Sequence, residues 1–133
     1  MDNAAIKILL VEDDNVARLM ETKTIQELHY QLDSAKNGEE ALALVRQNHY
    51  DIIFMDLHLP DTDGLTLTQA IRAIEAKNKS TPIVALTLHG GNDYQNQATW
   101  VGMNGFLTKP LTAEKCQRAL RSFLHPKENK EAY

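Results

Sequence analysis

Residues 51–64 read DIIFMDLHLPDTDG, and this stretch decides the fold. Ile52, Ile53, Phe54 and Met55 form a continuous apolar run without polar alternation, the pattern of a strand buried on both faces. Behind it DLHLPDTDG is dense in turn-forming residues, so a loop follows the strand. A helix comes next, because Leu67, Ala70, Ile71 and Ile74 recur on one helical face. The same unit repeats outward in both directions. Upstream, residues 6–11 read as a first strand, and Asp14 or Asn15 caps a helix that opens with Val16, Leu19 and Met20. A weak second strand lies near residues 32–35. Asn37 with Glu40 is a capping-box variant ahead of Ala41, Leu44 and Val45. Downstream, Pro82 opens a fourth strand over residues 83–86, and a weakly patterned helix carries Tyr94, Ala98 and Val101. Gly102 ends it, and residues 106–108 make a short fifth strand. Thr112 caps a last helix whose Cys116, Leu120, Phe123 and Leu124 face inward.

Strict alternation of strand and helix implies a parallel sheet covered on both faces, since parallel neighbours need right-handed crossover connections. The expected class is α/β, and 133 residues make one domain. With 43% hydrophobic and 24% charged residues the chain is ordinary globular material. Its 14 Lys and Arg against 18 Asp and Glu leave a net charge of −4, with no basic footprint for direct nucleic-acid binding. Apolar runs are far shorter than the roughly 20 residues that span a bilayer, so no membrane contact is expected. The opening MDNAAIKILLVEDD lacks the basic-then-apolar order of a signal peptide. A single cysteine, Cys116, fits a reducing, cytoplasmic setting, and its place on an apolar stripe makes it inert core.

In doubly wound sheets ligands sit beyond the carboxyl ends of the strands. Those ends carry Glu12 and Asp13 after the first strand, Asp56 after the third, Thr87 after the fourth and Lys109 after the fifth. Carboxylates about 5 Å apart repel by roughly 3 kcal/mol per pair at an effective dielectric near 20, so something cationic must offset them. Lys109 is one candidate and Mg²⁺ another, because an all-oxygen site suits a hard cation and no His or Cys cluster supports zinc. An aspartate can attack phosphorus when metal and amine neutralise the transferred group. Asp56 is placed for that, with Thr87 and Lys109 ready to bind phosphoryl oxygens.

The ordered motifs EDD, FMDLHLPDTDG, PIVALT and GFLTKPL resemble the receiver domain of two-component response regulators over residues 6–124. The resemblance implies a flavodoxin-like (βα)5 fold with strand order 2-1-3-4-5, a receiver domain over residues 1–125 and a polar tail or linker over residues 126–133. It implies Asp56 as phosphoacceptor and Mg²⁺ held by Asp13, by Glu12 through water, by Asp56 and by the backbone carbonyl of His58. It further implies Thr87 and Phe106 as the switch pair, Lys109 as the phosphate-binding lysine, a cis bond before Pro110, and Asp63-Gly64 opening the third helix. The phosphoryl donor would be a histidine kinase or a histidine phosphotransfer domain. The switching face would be built from the fourth helix, the fifth strand and the last helix.

Residues 85–112, ALTLHGGNDYQNQATWVGMNGFLTKPLT, resemble receivers attached to hybrid sensor histidine kinases, with a stand-alone response regulator as the alternative. The isolated domain would then support its own phosphorylation without being an enzyme, while a hybrid parent would be a histidine kinase. An aspartate-nucleophile phosphatase is the competing enzyme reading. It typically needs a second Asp two residues after the nucleophile, where this chain has His58. Leu88 stands where receivers usually carry a small residue and is expected to restrict access to Asp56. His58 and His89 occupy variable positions associated with phosphoryl lifetime. Asp14 and Asp63 read as structural residues, and His29, His49 and His125 as surface residues. Trp100 falls off the apolar stripe of its helix.

Overall fold

The computed structural model describes residues 5–74, 80–88 and 102–124. Its elements run β1 (Lys7–Val11), α1 (Asn15–Glu27), β2 (Gln31–Ala35), α2 (Gly38–Gln47), β3 (Ile52–Asp56), α3 (Gly64–Ala73), β4 (Ile83–Thr87), β5 (Gly105–Thr108) and a last helix, α4 (Ala113–Leu124). The five strands pair in parallel in the order β2-β1-β3-β4-β5, as the alternation demands. The expected helix through Tyr94, Ala98 and Val101 lies outside the described residues, as do His89, Trp100, His125 and the tail.

Period-two alternation splits the sheet residues into two cores. Leu9, Val11, Ile53, Met55, Ile83 and Ala85 face Ala41 and Val45 of α2 and Leu67 and Ile71 of α3. Ile8, Leu10, Ile52, Phe54, Val84 and Leu86 face Ile25 of α1 and Cys116, Ala119 and Leu120 of the last helix. Residues 8–11 and 52–55 are all fully buried, which explains the unbroken apolar runs. Burial of this kind is worth about 1.5–3 kcal/mol for each large side chain.

The caps fall where the sequence places them. The Ala17 N–H donates to Asp14 at 2.7 Å, Glu40 to Asn37 at 2.8 Å, Thr66 to Asp63 at 2.7 Å and Lys115 to Thr112 at 3.2 Å. Glu40 reaches back one residue past the cap and accepts the Lys36 N–H at 3.0 Å. Helix α1 turns the apolar residues of its opening outward. Val16, Leu19 and Met20 are 66, 71 and 63% exposed, and the buried positions are Glu21 and Ile25. Both sets repeat at helical spacing, and the Asp14 cap together with packing on β1 turns the second set inward.

Candidate functional site

Strand register assembles the site. Val11 pairs with Met55, so Glu12 stands beside Asp56; Asp56 pairs with Leu86, and Thr87 with Thr108, which sets Lys109 one step beyond. Glu12, Asp13 and Asp56 each offer a carboxylate oxygen within 4.8 Å of the others. Glu12 and Asp56 are buried, and Asp13 is exposed at the rim. Burial and the hydrogen bond and charge of Asp56 push the Asp13 carboxyl above its ordinary value.

Lys109 supplies the offsetting charge. Its Nζ lies 2.7 Å from Glu12 Oε1 and 3.2 Å from Asp56 Oδ2, with the side chain only 15% exposed. Burial alone would lower its pKa, but the hydrogen bond to Glu12 and the charges of Asp56 and Glu12 outweigh that and hold it above the usual lysine value. The ammonium is therefore firmly charged at neutral pH. Thr87, Asp56, Asp13 and Lys109 share an open cavity of about 500 Å³ with His58 and Leu88. Leu88 is 72% exposed at this rim.

The backbone holds these groups in place. Glu12 N–H donates to Ala35 O at 3.0 Å, Asp14 N–H to Glu12 Oε2 at 3.2 Å and Lys109 N–H to Thr87 O at 2.6 Å. Arg18, which the sequence reading missed, donates to the carbonyls of Glu12 at 2.9 Å and Asp13 at 3.4 Å and so braces the turn that carries both acids. Only the fold reveals this, since one arginine on a helix carries no signal of its target. His58 follows Asp56 in the loop, its N–H donates to Asp56 Oδ1 at 3.1 Å, and a bridge joins His58 to Asp63. Gly64 lets α3 approach this loop, because a Cβ there would meet Asp56 O and Leu57 Cα at 2.9 Å. The Lys109–Pro110 peptide is cis, as expected. Phe106 sits half-buried on β5, paired with Ala85 and packed against the core shared by α2 and α3.

The donor set fits Mg²⁺. Hard carboxylate oxygens converge from Glu12, Asp13 and Asp56, and no sulfur or imidazole ligand joins them among the described residues. Carboxylates, a charged amine and a hydroxyl around one open cavity suit phosphoryl transfer to a carboxylate.

Known proteins agree with this geometry. The chain is 41% identical over 115 residues to hybrid signal transduction histidine kinase B of Dictyostelium discoideum, an alignment covering 79% of this chain and 6% of that protein. It is 34% identical over 132 residues to the transcription factor SKN7 of Candida albicans, covering 97% of this chain and 23% of that one. The curated relatives it matches are much longer, and the chain spans between 4 and 23% of their length. Among solved structures, the chemotaxis response regulator CheY4 of Vibrio cholerae superposes with a TM-score of 0.81 at 30% identity, covering 89% of this chain and 98% of that one. The receiver domain of a sensor histidine kinase from Pseudomonas aeruginosa, solved with magnesium coordinated in its active-site cleft, gives 0.81 at 33% identity, covering 90% and 97%. Residues 8–121, from β1 to the last helix and spanning every strand end that lines the cavity, match the response regulator receiver domain as a family, and the chain belongs to it.

Proposed function

We propose that Asp56 accepts a phosphoryl group from a phosphohistidine, supplied by a histidine kinase or a histidine phosphotransfer domain. The observation that carries this reading is the convergence of Glu12, Asp13 and Asp56 on one cavity, with the Lys109 ammonium against Glu12 and Asp56. Asp56 attacks phosphorus, the P–N bond breaks, and the imidazole leaves with the electron pair. Asp13, Glu12, Asp56 and the His58 carbonyl would hold Mg²⁺, which supplies charge neutralisation at the phosphoryl oxygens. Lys109 exchanges its contact with Asp56 for a phosphoryl oxygen, and Thr87 donates its hydroxyl to another. Movement of Thr87, with Phe106 following, would change the surface at β5 and the last helix.

The donor approaches over α1. Val16, Leu19 and Met20 are exposed on the first turns of that helix, and Val16 and Met20 line one groove with exposed Leu88 and Lys109. Such a groove suits a protein donor that must seat one imidazole over Asp56. A hybrid histidine kinase is the parent favoured by the relatives, with a stand-alone regulator second. The isolated domain then supports its own phosphorylation and the loss of its own acylphosphate, without being an enzyme toward other substrates. His58 in place of a second Asp disfavours an aspartate-nucleophile phosphatase. No helix among the described residues is long and apolar enough to cross a membrane. The single cysteine, buried and free, fits a reducing compartment, and on that ground we place the domain in the cytoplasm.

Intact mass after exposure to phosphoramidate tests the reading. Wild type is expected to gain one labile phosphoryl mass that requires Mg²⁺, and Asp56→Asn to gain none. A stable gain, or one that survives in Asp56→Asn, removes Asp56 from the role of acceptor.

A further inference from the structure

Glu21 is 2% exposed on α1, one turn before the core residue Ile25. Its Oε2 accepts the Leu111 N–H at 3.0 Å across 90 residues of chain, and its Oε1 has no hydrogen-bond partner among the described residues. Burial pushes this carboxyl above its ordinary value, even though the Leu111 N–H acts the other way. A half-satisfied buried carboxylate is a poor contribution to stability, and a packed apolar side chain would avoid the desolvation cost. Its hydrogen bond lands on the segment that carries the site lysine. Lys109 N–H is tied to Thr87 O at 2.6 Å, and Leu111 N–H is tied to Glu21. Lys109 to Leu111 is thus pinned between β4 and α1, with the ammonium that meets Glu12 and Asp56 at its head.

We propose that Glu21 is a positioning residue for phosphoryl acceptance: by holding Leu111 it fixes the Lys109–Leu111 segment against α1 and sets where the Lys109 ammonium meets the acceptor. The inference rests on the reading of Asp56 as acceptor. It separates two effects that ordinarily move together, because the residue serves the lysine at the expense of the fold.

The test uses the full chain with Glu21→Leu and Glu21→Gln, read by thermal unfolding, by calorimetric Mg²⁺ binding and by the rate of phosphoramidate labelling. Glu21→Leu is expected to label about tenfold more slowly at saturating donor, since a small displacement of a reacting group is costly. It should bind Mg²⁺ about threefold more tightly, because a loosened ammonium competes less for Glu12 and Asp56. It should unfold within a few degrees of the wild-type temperature, because relief of the buried carboxylate offsets the Leu111 N–H left without its acceptor. Gln retains an acceptor oxygen for Leu111, so Glu21→Gln should stay within about twofold of wild type in rate and Mg²⁺ affinity. The proposal is overturned by a Glu21→Leu rate equal to wild type, or by a loss matched in Glu21→Gln. A loss accompanied by a lower unfolding temperature and weaker Mg²⁺ binding is a defect of the fold and overturns it too. Wild type that binds Mg²⁺ but takes label neither from phosphoramidate nor from a phosphohistidine protein overturns the acceptor reading instead, and the Mg²⁺ comparison between variants still decides whether Glu21 places Lys109.

Discussion

Two acidic turns border the same end of the sheet and treat their carboxylates in opposite ways. In the loop between β3 and α3, Asp61 accepts the Gly38 and Glu39 N–H groups at 2.8 and 3.0 Å, and Asp63 accepts from Thr66 N–H at 2.7 Å and Thr66 Oγ1 at 3.0 Å. Helix N-termini absorb these charges, and backbone hydrogen bonds, first Gly38 for Asp61 and Thr66 for Asp63, hold both carboxyls below the usual range. In the turn after β1, Asp13 is instead raised by burial and by Asp56. Acids at helix starts hold the fold together, while acids crowded at strand ends are poised for a cation and a phosphoryl group.

Removing the cation should break the contrast most severely. In Lys109→Met the buried Glu12 loses its counter-charge, and stability should fall by about 3–5 kcal/mol in urea unfolding. Saturating Mg²⁺ should return part of this, about 2.7 kcal/mol at a hundred times its Kd. A Lys109→Met chain as stable as wild type without metal would show that the acid cluster carries no strain. On the other side, Asp63→Ala should cost about 1 kcal/mol and Asp63→Asn only a few tenths, measured in the same way.

Acid titration sharpens the comparison further. Asp61 and Asp63 have lowered folded pKa values, so their contribution is present above the ordinary carboxylate value and is lost as pH falls through those lowered values. Asp13 and Glu21 are raised, so the native state binds their protons first and their unfavourable contribution is relieved as pH falls through the raised values. Carboxyl NMR should show the two pairs titrating on opposite sides of the model-peptide value, and Mg²⁺ should move Asp13 down while leaving Asp63 in place. The smallest effect on the fold belongs to α1. Met20→Asp should change stability by less than about 0.5 kcal/mol yet slow transfer from a phosphohistidine protein, followed by loss of label from that donor.

Strands β1, β3 and β4 and helices α2, α3 and α4 were legible because their apolar periods are distinct, while β2 carried only a weak pattern. Residues 52–55 cannot belong to a half-exposed element, and Leu67, Ala70, Ile71 and Ile74 cannot alternate across a strand. The ends of β1, β3, β4 and β5 named Glu12, Asp13, Asp56, Thr87 and Lys109 for the same reason. Helix α1 was legible as a helix but not in its rotation, since residues 16, 19 and 20 and residues 21 and 25 fit helical spacing equally well.

By itself the sequence determined the alternation, the two-sided burial of the sheet and the chemical types waiting at its carboxyl end, all of which follow from local periodicity and residue chemistry. Tertiary structure decided what no local pattern encodes. It paired Lys109 with Glu12 and Asp56, turned Glu21 inward and Met20 outward, and carried Asp61 across to the start of α2. The physical reason is distance along the chain. Contacts spanning 22, 23 and 90 residues exist only once strand register and crossover packing have brought their partners to one place.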